Sequence, residues 1–233
     1  MILPKTTDDL LNRFRSDVAD PLEGVDDQDP DSENLWKTWE ILQYMTEAAD
    51  AVARKTNSIY KTFQLAVTAN DNEVALPATI LDIRLARLLT QNVVLDDLAQ
   101  NRMRDGGCWD YGTFLQNGTF TAKGRPRNYV RDRERRMLVL VPIPTLDDTL
   151  ELQCTVTIST DLLCGMPLPF RELPDVTLML HYMKYLAYAK QDADTLDMSR
   201  SNEFLQLFTS GSMDREVDLR QQRRTPSPIR MEW

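Results

Sequence analysis

The chain has 233 residues, 42% of them hydrophobic and 27% charged, with 27 basic and 36 acidic side chains and a net charge of −9. That composition supports a packed core and excludes disorder throughout. The negative balance excludes a generic, sequence-independent grip on duplex DNA, but not a protein that surrounds DNA without holding it.

The charge is unevenly spread. Residues 1–34 carry three basic and ten acidic side chains, a net of −7, whereas residues 123–136 carry seven basic and two acidic ones, a net of +5. The opening MILPKTTDDLLNRF has no apolar stretch of signal-peptide length, and no run approaches the 18 apolar residues of a membrane span. Cys108, Cys154 and Cys164 match no zinc or iron–sulfur spacing, and an odd count suits free thiols in a reducing compartment.

In chain order, TTDDLLNRFRSDVAD predicts a short helix, with Thr6 or Thr7 as cap, Asp8 and Asp9 in the first turn, and Leu10, Leu11, Phe14 and Val18 at helical spacing. The acidic PLEGVDDQDPDSEN that follows reads as an exposed loop. ENLWKTWEILQYMTEAADAVARKT predicts a strong helix. Leu35, Trp39, Leu42, Met45, Ala49 and Val52 form its stripe, widened by Trp36 and Ile41. Core packing is the expectation for the tryptophans, and a subunit interface is the alternative.

The period then shortens. IYKTFQLAVTANDNEVALP reads as a strand, a turn and a returning strand, and Ile80, Ile83, Leu85 and Leu88 suit another strand, with a short helix around 79–90 as the alternative. LDDLAQNRMRDGG predicts a helix ended by Gly106 and Gly107. RRMLVLVPIP and TLELQCTVTIS read as two strands joined by a turn, with Leu150, Leu152, Cys154, Val156 and Ile158 on one face. A helix follows from Pro174, with Val176, Met179, Leu180, Met183 and Ala187 as its stripe. SNEFLQLFTSGSMDREVDLRQQRR predicts a last helix or two, broken near SGS, and TPSPIRMEW a tail without periodicity.

The fold expected is therefore α+β: mainly a helical bundle, with a small antiparallel sheet or hairpin region and an extended C-terminal tail. The helices fall at about 7–19, 35–55, 174–190 and 195–220 and the β-rich part at about 59–160, in one domain of residues 1–220 followed by an arm at 221–233.

No motif carries chemistry. The sequence lacks GxxxxGK[ST], GxGxxG and GxSxG. The single histidine, His181, lies within a predicted helix and reads as packed or on a helix face. The pairs Asp8–Asp9, Asp26–Asp27, Asp96–Asp97 and Asp147–Asp148 read as solvated surface, and DDQDPDSE lacks the glycine and the final glutamate of a calcium loop. No enzyme, cofactor or metal is expected.

Three readings compete for the basic run: a solvated loop, a nucleic-acid patch with Tyr129 as its one stacking aromatic, or a protein interface. The interface is favoured, because opposite patches on one chain are satisfied in a head-to-tail ring. Its residues would be Arg125, Arg127, Tyr129, Arg131, Arg133 and Arg135, with Pro126 and Tyr129 fixing the turn. Asp26, Asp27, Asp29, Asp31 and Glu33 would line a lumen or meet a neighbour's basic run. Ile229, Met231 and Trp233, on an arm kept extended by Pro226 and Pro228, would anchor in a partner groove.

From residue 35 to about 210 the order of pieces resembles the head-to-tail adaptor (head-completion, connector, tail tubular protein A-like) family of tailed bacteriophages. The carrying features are the helix LWKTWEILQYMTEAADAVARKT, the stretch EVALPATILDIRLARL leading to VVLDDLAQNRM, the G-x-P-x-x-Y turn in GRPRNYV, the strands MLVLVPIPTLDDTLELQCTV, and the closing RELPDVTLMLHYMKYLAYAKQDADTLDMSRSNEFLQLF. The resemblance implies a structural virion protein, made in the host bacterial cytoplasm and placed at the capsid–tail junction. It implies a homo-oligomeric ring, commonly a dodecamer, that binds the portal protein and docks a downstream nozzle, stopper or tail tube. Genomic DNA would pass through without specific binding, and no membrane is involved. The alternatives are a small nucleic-acid-binding regulator using residues 123–136, a neighbouring stopper or tail-completion protein, and a hydrolase with an unrecognised site.

Overall fold

The computed structural model describes residues 4–18, 35–98, 115–116, 119–120, 122–132, 134–158, 160–190 and 196–224. The chain divides into two compact units, one of residues 1–59 with 157–233, the other of residues 60–156.

The first unit is helical: α1 (Thr7–Val18), α2 (Thr38–Thr56), α3 (Leu173–Ala189) and α4 (Met198–Arg224). Thr6 caps α1. Its hydroxyl accepts the Asp9 N–H at 3.2 Å, and the Asp9 carboxylate accepts the N–H groups of Lys5 and Thr6 at 3.0 and 3.1 Å. These bonds, with the Lys5 N–H foremost, hold the Asp9 carboxyl below its ordinary range. Helix α2 starts with Glu40 accepting the Lys37 N–H at 2.9 Å and stops at Asn57, which is left-handed at φ 52°.

The core of this unit joins Leu10 and Phe14 of α1 to Ile41, Met45, Ala49 and Val52 of α2 and to Val176, Met179 and Met183 of α3. Trp36 lies at its centre. Its Nε1 donates to the Ala187 carbonyl at 3.2 Å, and its ring meets Phe14 and Tyr188 edge-on at 6.0 and 5.9 Å. Full burial of each such side chain contributes about 1.5–3 kcal/mol. Helix α2 and the residues just before it differ from the expected stripe: Leu35 and Trp39 are exposed, while Trp36, Ile41 and Ala48 are buried in the core.

Helix α4 runs unbroken through Ser210–Gly211–Ser212, correcting the expected break. The hydroxyls of Thr209, Ser210 and Ser212 bond to carbonyls of the preceding turn, at 2.8–3.0 Å, so they do not compete with the helix. At Gly211 a Cβ would stand 2.8 Å from Leu178 Cδ2, so the glycine lets α4 lie close on α3. Arg215 fixes the same contact. It pairs with both oxygens of buried Asp175, each at 3.0 Å, and with Glu172 at 2.6 Å.

The second unit is built on a sheet. Its strands are β1 (Tyr60–Val67), β2 (Glu73–Ala75), β3 (Ile80–Leu88), β4 (Val93–Asp97), β5 (Leu115–Gln116), β6 (Thr119–Phe120), β7 (Lys123–Gly124), β8 (Asn128–Asp132), β9 (Met137–Val141), β10 (Ile143–Pro144) and β11 (Asp148–Val156). Seven of them form one mixed sheet in the order β1-β11-β3-β4-β8-β9-β2, antiparallel except for the β4–β8 pair. The edge strands β1 and β2 approach each other, so the sheet nearly closes into a barrel. Leu150, Leu152, Cys154 and Val156 all point into its core, with Leu88, Leu138 and Leu140.

The expectation of a mainly helical bundle is therefore wrong. About 29% of the described residues are strand, and a seven-stranded sheet replaces the small hairpin region. Two local corrections accompany it. The expected helix of residues 95–107 is corrected at its start, because Leu95, Asp96 and Asp97 belong to strand β4, for which Leu88, Arg87 and Ala86 supply an antiparallel partner; its residues 99–107 lie outside the described residues. Strands β9 and β11 do not form a hairpin, because β3, β4 and β8 lie between them.

Candidate functional site

His181 stacks on Phe204 at 6.1 Å, and its Nδ1 is buried without a hydrogen-bond partner. Burial, then Lys184 and Arg13, lower its pKa, against an opposing pull from Asp17, so the ring is held neutral. The Cys154 thiol is pushed up to about 11 by burial, while Cys164 is exposed. Among the described residues no group of three or more His, Cys, Asp or Glu side chains could hold a metal, and no helix is long and apolar enough to cross a membrane.

The carboxylates flagged in pairs have structural uses. Asp148 is buried, which raises its pKa, yet the N–H groups of Thr90, Thr149 and Gln91 outweigh that and hold it below the ordinary range. Its two oxygens take the Thr90 and Gln91 N–H groups at 2.8 and 3.1 Å, clamping the β3–β4 turn to β11. Asp147 accepts the Ala69 N–H at 2.7 Å. Sequence reading missed both, because their partners lie about 60 and 80 residues upstream.

The basic run is split by the fold. Arg125 donates to the Gln91 carbonyl of that same turn. Arg131 is half-buried on β8 and donates to the carbonyls of Leu81 and Ile80 at 2.8 and 3.3 Å, with Asp82 at 3.9 Å. Arg135 is exposed, 3.7 Å from Glu73 and 3.9 Å from Asp132. Lys123 donates to the Asn70 side chain at 2.7 Å. Arg127 and Arg136 are exposed with no ion pair to a described residue, and Arg136 is left-handed at φ 53°. Tyr129 is only 4% exposed, and burial, aided by Asp97 and Asp82, raises its hydroxyl pKa well above the ordinary tyrosine value. It packs within the sheet, and Pro126 is buried beside it in the chain. Lys123, Arg125, Arg127, Arg135 and Arg136 are thus all exposed, and of these Arg127 and Arg136 make no ion pair with a described residue. Arg133, Asp26, Asp27, Asp29, Asp31, Glu33, Ile229, Met231 and Trp233 lie outside the described residues.

The helical unit carries a second feature that sequence reading left open. Trp39, Leu42, Gln43 and Thr46 of α2 face Asp161, Leu162 and Leu163 across an apolar groove of about 330 Å³. Trp39 is 58% and Leu163 57% exposed. The far wall is pinned in place: Thr46 accepts the Leu162 N–H at 3.0 Å, Thr7 donates to the Leu163 carbonyl at 2.8 Å, and Asp8 accepts the Gly165 N–H at 2.9 Å. Gly165, at φ 74°, makes the turn that this wall requires.

Both features are surfaces, one of exposed guanidinium groups and one of apolar side chains, as an assembly component requires. The sequence model of the SU10 adaptor protein family matches residues 5–232. No curated protein matches the chain.

Proposed function

The chain belongs to the SU10 adaptor protein family of phage head-to-tail adaptors, and from that premise we propose that it forms a ring beneath the portal that joins capsid to tail. Its role in that family is structural, at the capsid–tail junction of the virion. In the proposed assembly, copies meet head to tail, commonly twelve around the axis. The portal protein binds one face, and a nozzle, stopper or tail tube docks on the other. Genomic DNA passes through the channel without being gripped.

The supporting observation within the structure is the uneven use of the basic run. Arg131 serves its own sheet, while Arg125, Arg127, Arg135 and Arg136 keep exposed charge. An exposed cationic surface on a chain of net charge −9 is matched by the −7 of residues 1–34 on a neighbouring copy. Pairing of that kind raises the encounter rate and fixes orientation more than it raises affinity, so many repeats around an axis suit it.

Charge reversal at Arg127 and Arg135, leaving Arg131 intact, tests the reading. The double variant should fold normally and fail to assemble on portal-bearing heads, measured by electron microscopy of the particles and by native mass. Normal assembly combined with loss of salt-sensitive DNA binding in a gel shift would instead favour the small nucleic-acid-binding regulator.

A further inference from the structure

We propose that the apolar groove between α2 and the 161–163 segment is the seat for residues 229–233 of a second copy of this chain, with Trp233 as its main anchor. The inference rests on the ring reading only in requiring a neighbour.

The groove's size selects the kind of occupant. At about 330 Å³ it lies at the small end of ligand pockets, roughly 300–1,000 Å³. It takes one or two bulky side chains, not the row of anchors along an amphipathic helix. Its walls are preformed, because the hydrogen bonds from Thr46, Thr7 and Asp8 hold the 162–165 backbone. Little ordering cost then falls on the receptor side.

The chain supplies a segment of matching chemistry. In PSPIRMEW, Ile229, Met231 and Trp233 alternate with Arg230 and Glu232. An extended backbone puts the three apolar side chains on one face. Arg230 would then lie on the side away from the apolar floor, where the exposed rim residue Asp161 offers an opposite charge. Interface hot spots are enriched in tryptophan seated in a desolvated pocket.

Reach decides between the same copy and another. Helix α4 runs antiparallel to α3: the Asp197 N–H bonds to the Tyr188 carbonyl, and Arg215 meets Asp175. Helix α2 is also antiparallel to α3, with Glu40 on Lys190 and Trp36 on Ala187. The groove residues of α2 thus lie level with the C-terminal half of α3, while α4 leaves past its N-terminus. From Asp175 to the groove is at least about 12 Å along the axis, and α4 runs about 13 Å the other way from Arg215 to Arg224, at 1.5 Å per residue. The segment must therefore return at least about 25 Å. Fully extended from Arg224, Ile229 reaches about 18 Å, Met231 about 25 Å and Trp233 about 32 Å, before any path around the surface. Within one copy Ile229 falls short and Met231 has no slack, so only Trp233 could return; the three-residue face as a whole fits only from a neighbour.

The test is a titration of the full-length chain into a fluorophore-labelled peptide of residues 225–233, followed by anisotropy. Saturable binding in the micromolar range is expected. It should weaken more than tenfold with Trp233→Ala in the peptide, and equally with Leu163→Glu in the chain. Leu163 is a surface residue, and a thermal melt verifies the fold of that variant. Absence of saturation overturns the proposal, as does binding indifferent to Leu163→Glu. Binding that emerges only when the receptor chain itself carries Trp233→Ala overturns the neighbour claim, since the groove would then be filled from within. A failed titration leaves the virion location standing, and a chain missing from the capsid–tail vertex leaves a positive titration standing, so the two readings fail separately.

Discussion

Arg131 and Arg127 are four residues apart in one basic run, yet the fold gives them opposite employment. Arg131 forks onto two backbone carbonyls of β3, whereas Arg127 stands exposed. A lysine keeps the charge but cannot present a planar pair of donors. Arg131→Lys should therefore cost about 1 kcal/mol of unfolding free energy by urea denaturation, the low end for a partly exposed lost bond. Arg127→Lys should stay within about 0.5 kcal/mol of the parent, as surface changes do. Equal effects from the two substitutions would contradict the assignment. This difference was not legible in the sequence. Charge counting treats all seven basic residues alike, and the deciding partners sit some 50 residues upstream. The two tryptophans pose the same problem. Leu35, Trp36, Trp39, Ile41 and Leu42 cover so wide an arc of the expected helix that period alone does not say which edge meets the core, and Leu35 and Trp36 in fact precede α2. The structure puts Trp36 inside and Trp39 outside.

At the scale of elements, the α3–α4 contact rests on few groups. Arg215 and Asp175 are both nearly sealed from solvent, while Glu172 is largely open to it. Replacing Arg215 by Met would strand the Asp175 carboxylate, at an expected cost of about 3–5 kcal/mol. Adding Asp175→Leu to that variant should restore much of the loss, since no buried charge would remain. Thermal or chemical denaturation of the three variants measures both steps, and a double variant no better than the single one would assign the loss to packing. Element type was readable where local pattern sufficed: the caps of α1, the alternation of β11 and the proline at the start of α3 all appear in the sequence. Pairing was not readable. The partners of β11 are β1 and β3, 62–95 residues away, and neither leaves a mark on the local pattern. The SGS triplet misled for a related reason. Its hydroxyls are satisfied within the helix, and its glycine answers to Leu178 on another element.

At the scale of the molecule, the sheet unit is one continuous stretch and the helical unit is built from the flanks. The first and last strands of the sheet pair side by side, with Tyr60 opposite Thr155. Directly opposed Cα atoms in such a pair are about 4.5–5.5 Å apart, so a short linker can span the gap. Among the described residues, the core of the helical unit contains none from 60–156, and Ile59 and Ile158 both pack on it. Replacing residues 60–156 by Gly-Ser-Gly should therefore leave a folded helical protein, with strong helical circular dichroism and a cooperative melt. A broad, non-cooperative transition would show that the helices need the sheet. The mainly helical expectation failed at this scale. Each strand is short, and nothing in a single strand tells how many others will join it. The family resemblance is legible all the same, because it rests on the order of pieces and not on how they assemble.

The same side-by-side pairing governs how the protein answers to force. Tension arriving through Ile59 and Thr157 would act at one end of the β1–β11 ladder and pull its two strands apart crosswise. The bonds would then break in succession, from Tyr60 and Thr155 toward Val67 and Asp148, instead of resisting together in shear. The β1–β11 pair would thus unzip gradually when its flanks are drawn apart.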